Sequence, residues 1–579
     1  MAVRKLVNEE TPAGDVVARV LHEAGIEMVF GISGGHTGRI FAGLEKQQNA
    51  IRTVLVREES LGGVMAEVYG RLTRRPGVLI GQGPWVLGNG LLGTLEAHLS
   101  ASPMLLLTDF SDPPNLALHA PYQSATGDYG AWNARMAFGG VTKQVFSALE
   151  PAQAVQATQF AIKHATAGQM GPVAVLFSHA ALNGTVGPET VPTLYPTALY
   201  LPPPPPAADP DAIAAAAQAL LHAERPVIVA GNGVRLAQAY GALEQLAEAL
   251  GIPVATSASG KGTFAETHDL ALGVYGTFGT AAANACLGEA DLVLVIGSKL
   301  GASDTARENP ALLDPTRQVF IQIDIEPRNA SWTFPAEHTL IGDAAVILAQ
   351  LLAEVGTHPA RRAAAVARVA AHRRAHGYFD APAYRAPGSP IHPQRIIGEL
   401  RRNLPADAIV TCDAGENRIL MTHLYQTQRA EGFLQAAGSG PMGFAIPAAL
   451  GAKLVHPDRP VVAVCGDGGF AMSMNGLMTA IEEDIPIVVV IFNNSALGWV
   501  LHGRSEFAAK FRDFDFAAIA RAIGCHAERV AEADALAPAL AAALAARRPA
   551  VIDVVTSLND ITFADITSPL AKAAARPTR

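Results

Sequence analysis

The chain has 579 residues, of which half are apolar and 16% are charged, so it is long enough to bury the cores of several domains. Its formal net charge is −9 at pH 7 and it has no basic patch, which argues against a nucleic-acid partner. The amino-terminal segment Met-Ala-Val-Arg-Lys lacks an apolar signal core, and no stretch reaches the length of a membrane span. We therefore expect a cytoplasmic protein with no membrane partner.

Short apolar, β-branched runs alternate with helical segments in three successive blocks. The runs at 28–30 and 77–80 lie in the first block, those at 226–230 and 291–296 in the second, and 461–465 in the third. Strands of this kind, separated by helices, are typical of parallel sheets covered on both faces. The sequence predicts an α/β protein with three doubly wound parallel-sheet domains.

Proline-rich segments mark the boundaries between these blocks. Residues 201–206 read Leu followed by five Pro, which predicts an extended polyproline linker. A second break at 377–392, rich in Ala, Pro and Gly, follows a predicted helix at 360–376. The predicted domains are 1–190, 207–356 and 390–560, followed by a tail at 561–579.

The most informative pattern lies in the third block. The strand at 461–465 ends at Gly466-Asp467-Gly468, and a predicted helix then leads to a second apolar strand at 486–492 that ends at Asn493-Asn494. A right-handed crossover makes these strands parallel neighbours, so Asp467 and Asn494 are expected together at their carboxyl ends, where open α/β sheets bind ligands.

A carboxylate and an amide oxygen from two strand ends are hard ligands suited to Mg²⁺, which completes its octahedron with phosphate oxygens and water. The backbone carbonyl of Ala496 can supply a third protein ligand. Gly468 and Gly469 let backbone amides approach a diphosphate closely. The pattern therefore predicts a site for a metal and a diphosphate.

The GDG sequence and the later NN, with 25 residues between Gly468 and Asn494, resemble the thiamine diphosphate signature of the acetohydroxyacid (acetolactate) synthase, pyruvate oxidase and benzaldehyde lyase family. The resemblance extends from about residue 11 to about residue 556. It implies a pyrimidine-binding domain, a central domain and a diphosphate-binding domain, in that order. It also implies a homodimer or homotetramer with active sites at the subunit interface.

Activation of thiamine diphosphate requires a carboxylate at its aminopyrimidine. The segment at 54–71 resembles the family pattern HEQxAxxMAxGYAR, and anchoring on Met65, Ala66 and Tyr69 assigns that carboxylate to Glu59. An offset of one residue would assign it to Glu58 instead.

The remaining site assignments come from the same resemblance. Met442 corresponds to a methionine that supports the bent cofactor, and the loop at 415–417 corresponds to a diphosphate-binding loop. The cofactor-binding positions implied for the third block are Glu416, Asn417, Gly440, Met442, Gly466, Asp467, Gly468, Gly469, Asn494, Ala496, Leu497 and Gly498, with Asp467, Asn494 and Ala496 as metal ligands.

Two further residues are assigned to the substrate. The stretch at 30–41 resembles the benzaldehyde lyase pattern FGxHGAHxxxIF, so His36 is a candidate proton relay at the reacting carbon, with capping of the next helix as the alternative role. Gln123 matches a family glutamine that contacts the substrate. No two histidines are adjacent in the sequence, which argues against a pyruvate decarboxylase type of site.

Departures from the family pattern limit the assignment of a substrate. The GPGATN motif becomes the longer segment 81–89, which includes Trp85, and the GMVxQW motif becomes 498–503 with glycine in place of tryptophan. The arginine of the ARFDDR motif is absent from 298–304, which disfavours FAD. The turn Gly231-Asn232-Gly233 is still compatible with binding of an adenine nucleotide.

The predicted function is a thiamine diphosphate- and Mg²⁺-dependent carboligase or lyase acting on 2-keto acids, aldehydes or acyloins. A 2-keto acid decarboxylase and an FAD-containing oxidase of the same family are alternatives. A non-catalytic scaffold subunit is a third, but it has no need of Glu59, Asp467 and Asn494 together, and all three are present.

Overall fold

The computed structural model describes residues 3–111, 124–202, 204–503 and 505–561, together with 565, 567 and 570. Gln123 lies outside these residues. The chain divides into two compact units, one formed by 1–204 with 450–456 and 478–483, the other by 205–449, 457–477 and 484–579. In the part of the chain that is described, no helix is long and apolar enough to cross a membrane.

The first unit contains a six-stranded parallel sheet in the order β3-β2-β4-β5-β7-β6, and β1 pairs with β8 in a separate antiparallel ribbon. The strands are β1 (Thr11–Pro12), β2 (Met28–Gly31), β3 (Arg52–Leu55), β4 (Gly77–Gly81), β5 (Met104–Asp109), β6 (Gln144–Ala148), β7 (Pro172–Phe177) and β8 (Thr185–Val186). The helices are α1 (Ala13–Glu23), α2 (Gly38–Lys46), α3 (Glu59–Thr73), α4 (Gly83–Gly88), α5 (Leu91–Ser100), α6 (Ala134–Gly139), α7 (Pro151–Thr166) and α8 (His179–Asn183).

The second unit contains two more six-stranded parallel sheets. The central sheet has the order β11-β10-β9-β12-β13-β14. Its strands are β9 (Pro226–Ala230), β10 (Val254–Thr256), β11 (Ala271–Val274), β12 (Leu292–Ile296), β13 (Val319–Asp324) and β14 (His338–Ile341). Its helices are α9 (Pro210–His222), α10 (Asn232–Leu236), α11 (Tyr240–Leu250), α12 (Ala281–Gly288), α13 (Ala344–Val355) and α14 (Pro359–His376).

The carboxyl-terminal sheet has the order β16-β15-β17-β18-β20-β19. Its strands are β15 (Ile409–Cys412), β16 (Phe433–Gln435), β17 (Val461–Gly466), β18 (Val488–Asn493), β19 (His526–Val530) and β20 (Ala550–Val555). The associated helices are α15 (Pro393–Asn403), α16 (Glu416–Leu424), α17 (Ala445–Val455), α18 (Asp467–Ser473), α19 (Gly476–Glu482), α20 (Gly498–Gly503), α21 (Phe516–Ile523) and α22 (Leu536–Ala545).

All three sheets are parallel and carry helices, so the predicted fold class is confirmed. Their central strands are buried along their whole length, for example β9, β12 and β18, because helices cover both faces. Register within the third sheet pairs Gly466 with Phe492, so β17 and β18 end side by side. This pairing positions the residues that follow both strands at one edge.

The segment between β17 and β18 differs in detail from the prediction of a turn and one helix. Asp467 is already the first residue of α18, and a second helix, α19, follows it. The break between the two falls at Met474 and Asn475, so the crossover is built from two short helices rather than one long one. Asp467 still directly follows β17, and Asn494 directly follows β18.

Candidate active site

One backbone amide brings the predicted metal ligands together. The N–H of Ala496 lies 3.2 Å from Asp467 Oδ2 and 3.2 Å from Asn494 Oδ1, and both oxygens accept a hydrogen bond from it. Asp467 Oδ1 accepts a second bond, from Gly468 N at 2.6 Å. The carboxylate of one strand end and the amide oxygen of the next therefore converge on the same point.

The environment of Asp467 is that of a buried carboxylate, which a bound cation would stabilise. Its side chain is buried, and burial raises its pKa to about 6 although the backbone amides of Gly468, Ala496 and Ser495 oppose that rise. Among the described residues no group of three or more His, Cys, Asp and Glu side chains is arranged to hold a metal. A metal here would need its remaining ligands from the backbone, from phosphate and from water, as Mg²⁺ usually does.

A cavity of about 300 Å³ surrounds this point. It is lined by all the residues that the resemblance assigned to the cofactor in the third block, namely Glu416, Asn417, Gly440, Met442, Gly466, Asp467, Gly468, Gly469, Asn494, Ala496, Leu497 and Gly498. Trp499, Val500 and Arg418 also contribute to its wall. The structure thus gathers residues spread over more than 80 positions into one concave site.

Three glycines of the cavity wall lie close to neighbouring side chains and leave little room for a side chain of their own. A Cβ atom on Gly469 would lie 2.1 Å from Asp413 Oδ2, and one on Gly498 would lie 2.2 Å from Glu416 Oε2. A Cβ on Gly468 would meet the terminal methyl of Met442 at 3.0 Å. The wall is therefore formed by bare backbone, whose amides can approach an anion closely.

Asp413, which sequence reasoning did not assign to the site, holds one side of the cavity. Its carboxylate accepts hydrogen bonds from the backbone amides of Ala414, Gly443 and Phe444 at 2.9 to 3.0 Å. Because it is fully buried, its pKa rises to about 6. These bonds fix the loop that carries Met442 to the end of β15. Its place directly after a buried strand was the only signal in the sequence.

In the first unit, Glu59 is the first residue of α3 and is only 6% exposed, whereas Glu58 is half-buried and precedes the helix. The carboxylate of Glu59 accepts a hydrogen bond from Asn89 Nδ2 at 3.2 Å. Asn89 follows the inserted segment, of which residues 83–88 form α4, with Trp85 about half exposed. The lengthened loop therefore supplies the partner of Glu59.

Asp109 plays the same part here that Asp413 plays in the second unit. Its Oδ2 accepts a hydrogen bond from the backbone N–H of His36 at 2.7 Å, and its Oδ1 accepts one from Gly83 N at 3.0 Å. Asp109 is the last residue of β5 and is buried. It joins the glycine-rich turn of His36 to the turn after β4, and sequence reasoning missed it.

The structure also places a second histidine beside His36. The rings of His36 and His179 meet edge to face, with centroids 4.6 Å apart, although 143 positions separate them in the sequence. The helix after His36 begins at Gly38 with Thr37 as its cap residue and has no side-chain capping bond, so His36 does not act as that cap. No local pattern could have predicted this pair.

In the central domain, the glycines of the turn after β9 have a packing role. A Cβ on Gly231 would lie 2.3 Å from the carbonyl oxygen of Gly297, and one on Gly233 would lie 2.5 Å from the Cα of Gly297. Arg235, which is buried, donates to Asn232 Oδ1 and to nearby backbone carbonyls. Close approach of two backbones explains these glycines without a nucleotide.

Comparison with known families agrees with this geometry. Models of the thiamine pyrophosphate enzymes match residues 11–125 with the N-terminal TPP binding domain, 213–351 with the central domain and 413–554 with the C-terminal TPP binding domain. The chain belongs to the thiamine pyrophosphate enzyme family, as the GDG and NN motifs indicated.

Relatives within the family differ in their described activities. The chain is 30% identical to a probable acetolactate synthase large subunit of Methanocaldococcus jannaschii over 93% of its own length and 91% of that protein. It is 30% identical to the acetolactate synthase large subunit of Corynebacterium glutamicum, over 95% and 88% of the two chains. It is also 31% identical to a probable 2-ketoarginine decarboxylase of Pseudomonas aeruginosa, over 90% of both.

Proposed function

We propose that this protein is a thiamine diphosphate- and Mg²⁺-dependent carboligase or lyase that makes or breaks a carbon–carbon bond next to a carbonyl group. Its substrates would be 2-keto acids, aldehydes or 2-hydroxy ketones. The observation that carries the proposal is the convergence of Asp467 Oδ2 and Asn494 Oδ1 on the amide of Ala496 inside a glycine-walled cavity. The acetolactate synthase relatives support the reaction class.

The residues of the second unit fit a metal diphosphate. Asp467, Asn494 and the carbonyl of Ala496 would hold Mg²⁺, and the bare backbone at Gly468 and Gly469 would bind the diphosphate. When bound, thiamine diphosphate supplies a nucleophilic carbon that attacks the substrate carbonyl. Met442, which packs on Gly468, would support the bent cofactor.

The residues of the first unit would carry out the proton transfers of the reaction. Glu59, held by Asn89, would bind the pyrimidine ring and favour loss of the proton from the reactive carbon. His36 would then exchange a proton with the substrate oxygen, and Asp109 holds the backbone of His36 in place. Gln123 remains a proposed substrate contact. In a homodimer or homotetramer, as the family resemblance implies, these groups and the diphosphate site would come from different subunits.

A decarboxylase acting on a 2-keto acid is the second candidate, favoured by the similarity to the probable 2-ketoarginine decarboxylase. Product identification separates the two: a carboligase yields an acyloin or 2-hydroxy keto acid, while a decarboxylase yields only CO₂ and an aldehyde. An oxidase would need FAD, which a visible absorption spectrum of the purified protein would reveal.

The decisive experiment measures binding of thiamine diphosphate with Mg²⁺ to the metal-free apoprotein by calorimetry, followed by a screen of 2-keto acids and acyloins. We expect wild type to bind and Asp467→Ala to lose binding while keeping its fold. Asp458→Ala, which removes an exposed carboxylate of the same domain, is the matched control and should bind normally. Undiminished affinity in Asp467→Ala would refute the proposed site.

A further inference from the structure

Glu416 and His502 form a partly buried carboxylate–imidazole pair at the edge of the candidate cavity. His502 Nδ1 lies 2.5 Å from Glu416 Oε1, and each side chain is about 13% exposed. Glu416 begins α16 and His502 lies on α20, 86 positions later in the chain. In the GMVxQW pattern noted above, the position of His502 is glutamine.

The position of this pair raises an electrostatic problem. Among the residues that the structure describes, the charged ones lining the cavity are Glu416, Arg418 and Asp467. A metal would offset the charge of Asp467, but a diphosphate is itself strongly anionic, and a bare carboxylate at Glu416 would repel it. Arg418, which also lines the cavity, donates from Nη1 to the carbonyl oxygen of Ala436.

The carboxylate of Glu416 is also fixed in place. A Cβ on Gly498 would lie 2.2 Å from Glu416 Oε2, which shows that this oxygen packs directly on the backbone where α20 begins. Its other oxygen is bound to His502. Burial raises the pKa of Glu416, and the charge and hydrogen bond of His502 oppose that rise. The hydrogen bond to His502 therefore favours the ionised form of this carboxylate.

We propose that His502 neutralises Glu416 so that the cavity accepts a diphosphate, and that the two residues determine affinity for the diphosphate group as one unit. This inference rests on the proposed function, because the anion it concerns is that of thiamine diphosphate. The physical reason is that a cation in contact with the carboxylate cancels most of its field at the neighbouring anion. Either residue without the other changes the charge of the site, and removal of both restores it.

The test is a double-mutant cycle on cofactor affinity, measured by calorimetry of the full-length apoprotein with thiamine diphosphate in excess Mg²⁺. The variants are His502→Gln, Glu416→Gln and the double variant. Glutamine at 502 can still donate a hydrogen bond to Glu416, so the first variant isolates the loss of charge. His222→Gln, on an exposed turn of α9, is the matched control.

We expect His502→Gln to weaken binding by about 10-fold or more, because the carboxylate is then uncompensated beside the anion. Glu416→Gln removes the carboxylate that faces the anion and leaves His502 in place, so it should bind more tightly than wild type. The double variant should return to within about threefold of wild type, since the two changes are coupled. His222→Gln should match wild type.

Three results would overturn the inference. One is unchanged affinity in His502→Gln, and another is a double variant as weak as His502→Gln alone. The third is a tenfold loss in Glu416→Gln, which would mean that the carboxylate itself favours cofactor binding; this result does not depend on His502→Gln being stable. Failure of wild type to bind thiamine diphosphate would instead refute the proposed function, so the two failures are distinguishable.

Discussion

Replacing Glu59 by glutamine separates binding of the cofactor from its activation. Glutamine has nearly the same shape, and its carbonyl oxygen can still accept the hydrogen bond that Asn89 Nδ2 donates to Glu59 Oε2 at 3.2 Å. Because glutamine keeps this hydrogen bond with Asn89, we expect the free energy of unfolding to change by less than about 1 kcal/mol. Cofactor affinity should likewise stay close to that of wild type.

The chemical effect should be much larger. The amide cannot take up a proton, so hydrogen–deuterium exchange at the reactive carbon of bound thiamine diphosphate should slow by on the order of 10² or more, the usual range for loss of a proton-transfer catalyst. The assay is quenched-flow exchange into D₂O, read by proton NMR of the released cofactor.

Glu58→Gln is the matched control, because Glu58 precedes α3 and is half-buried while Glu59 is 6% exposed. It should slow exchange by less than about tenfold. If Glu58→Gln proved the damaging change and Glu59→Gln did not, the assignment would be wrong by one residue. Normal exchange in both variants would remove this segment from the mechanism.

Three further predictions concern other buried or clustered groups. His36→Ala should leave cofactor binding and exchange nearly normal but slow single turnover by on the order of 10 to 10³, and normal turnover per folded site would exclude the relay. Arg71→Met should lower the free energy of unfolding of the first unit by about 3 to 5 kcal/mol in urea, since it leaves the fully buried carboxylates of Glu67 and Glu96 without their cationic partner. A loss below about 1 kcal/mol would contradict this. Asp413 has a folded-state pKa of about 6, above its value in an unfolded chain, so the folded state binds its proton first as the pH falls. The unfolding free energy of wild type relative to Asp413→Asn should therefore rise by about 2 kcal/mol from pH 7 to pH 4, and a flat difference would refute the shift.

Much of the candidate site follows from local pattern. Asp467 and Asn494 could be placed together because each directly follows an apolar strand, and parallel neighbours end at the same edge of a sheet. The fold class followed in the same way from strands that alternate with helices. The break that divides the crossover into α18 and α19 was not foreseen, because the apolar spacing through it remains that of one helix.

What the sequence by itself determined is therefore the family, the three sheets and the strand ends that hold the proposed metal ligands, since these depend on periodicity and spacing along one segment. Only the tertiary structure decided which distant groups meet: Asp413 with the loop before α17, Asn89 with Glu59, His179 with His36, and His502 with Glu416. The physical reason is that a contact between residues tens of positions apart leaves no periodic trace in either segment. Such a contact forms when the fold brings loops from different strands to one edge of a sheet. Burial then determines the charge that each group can carry.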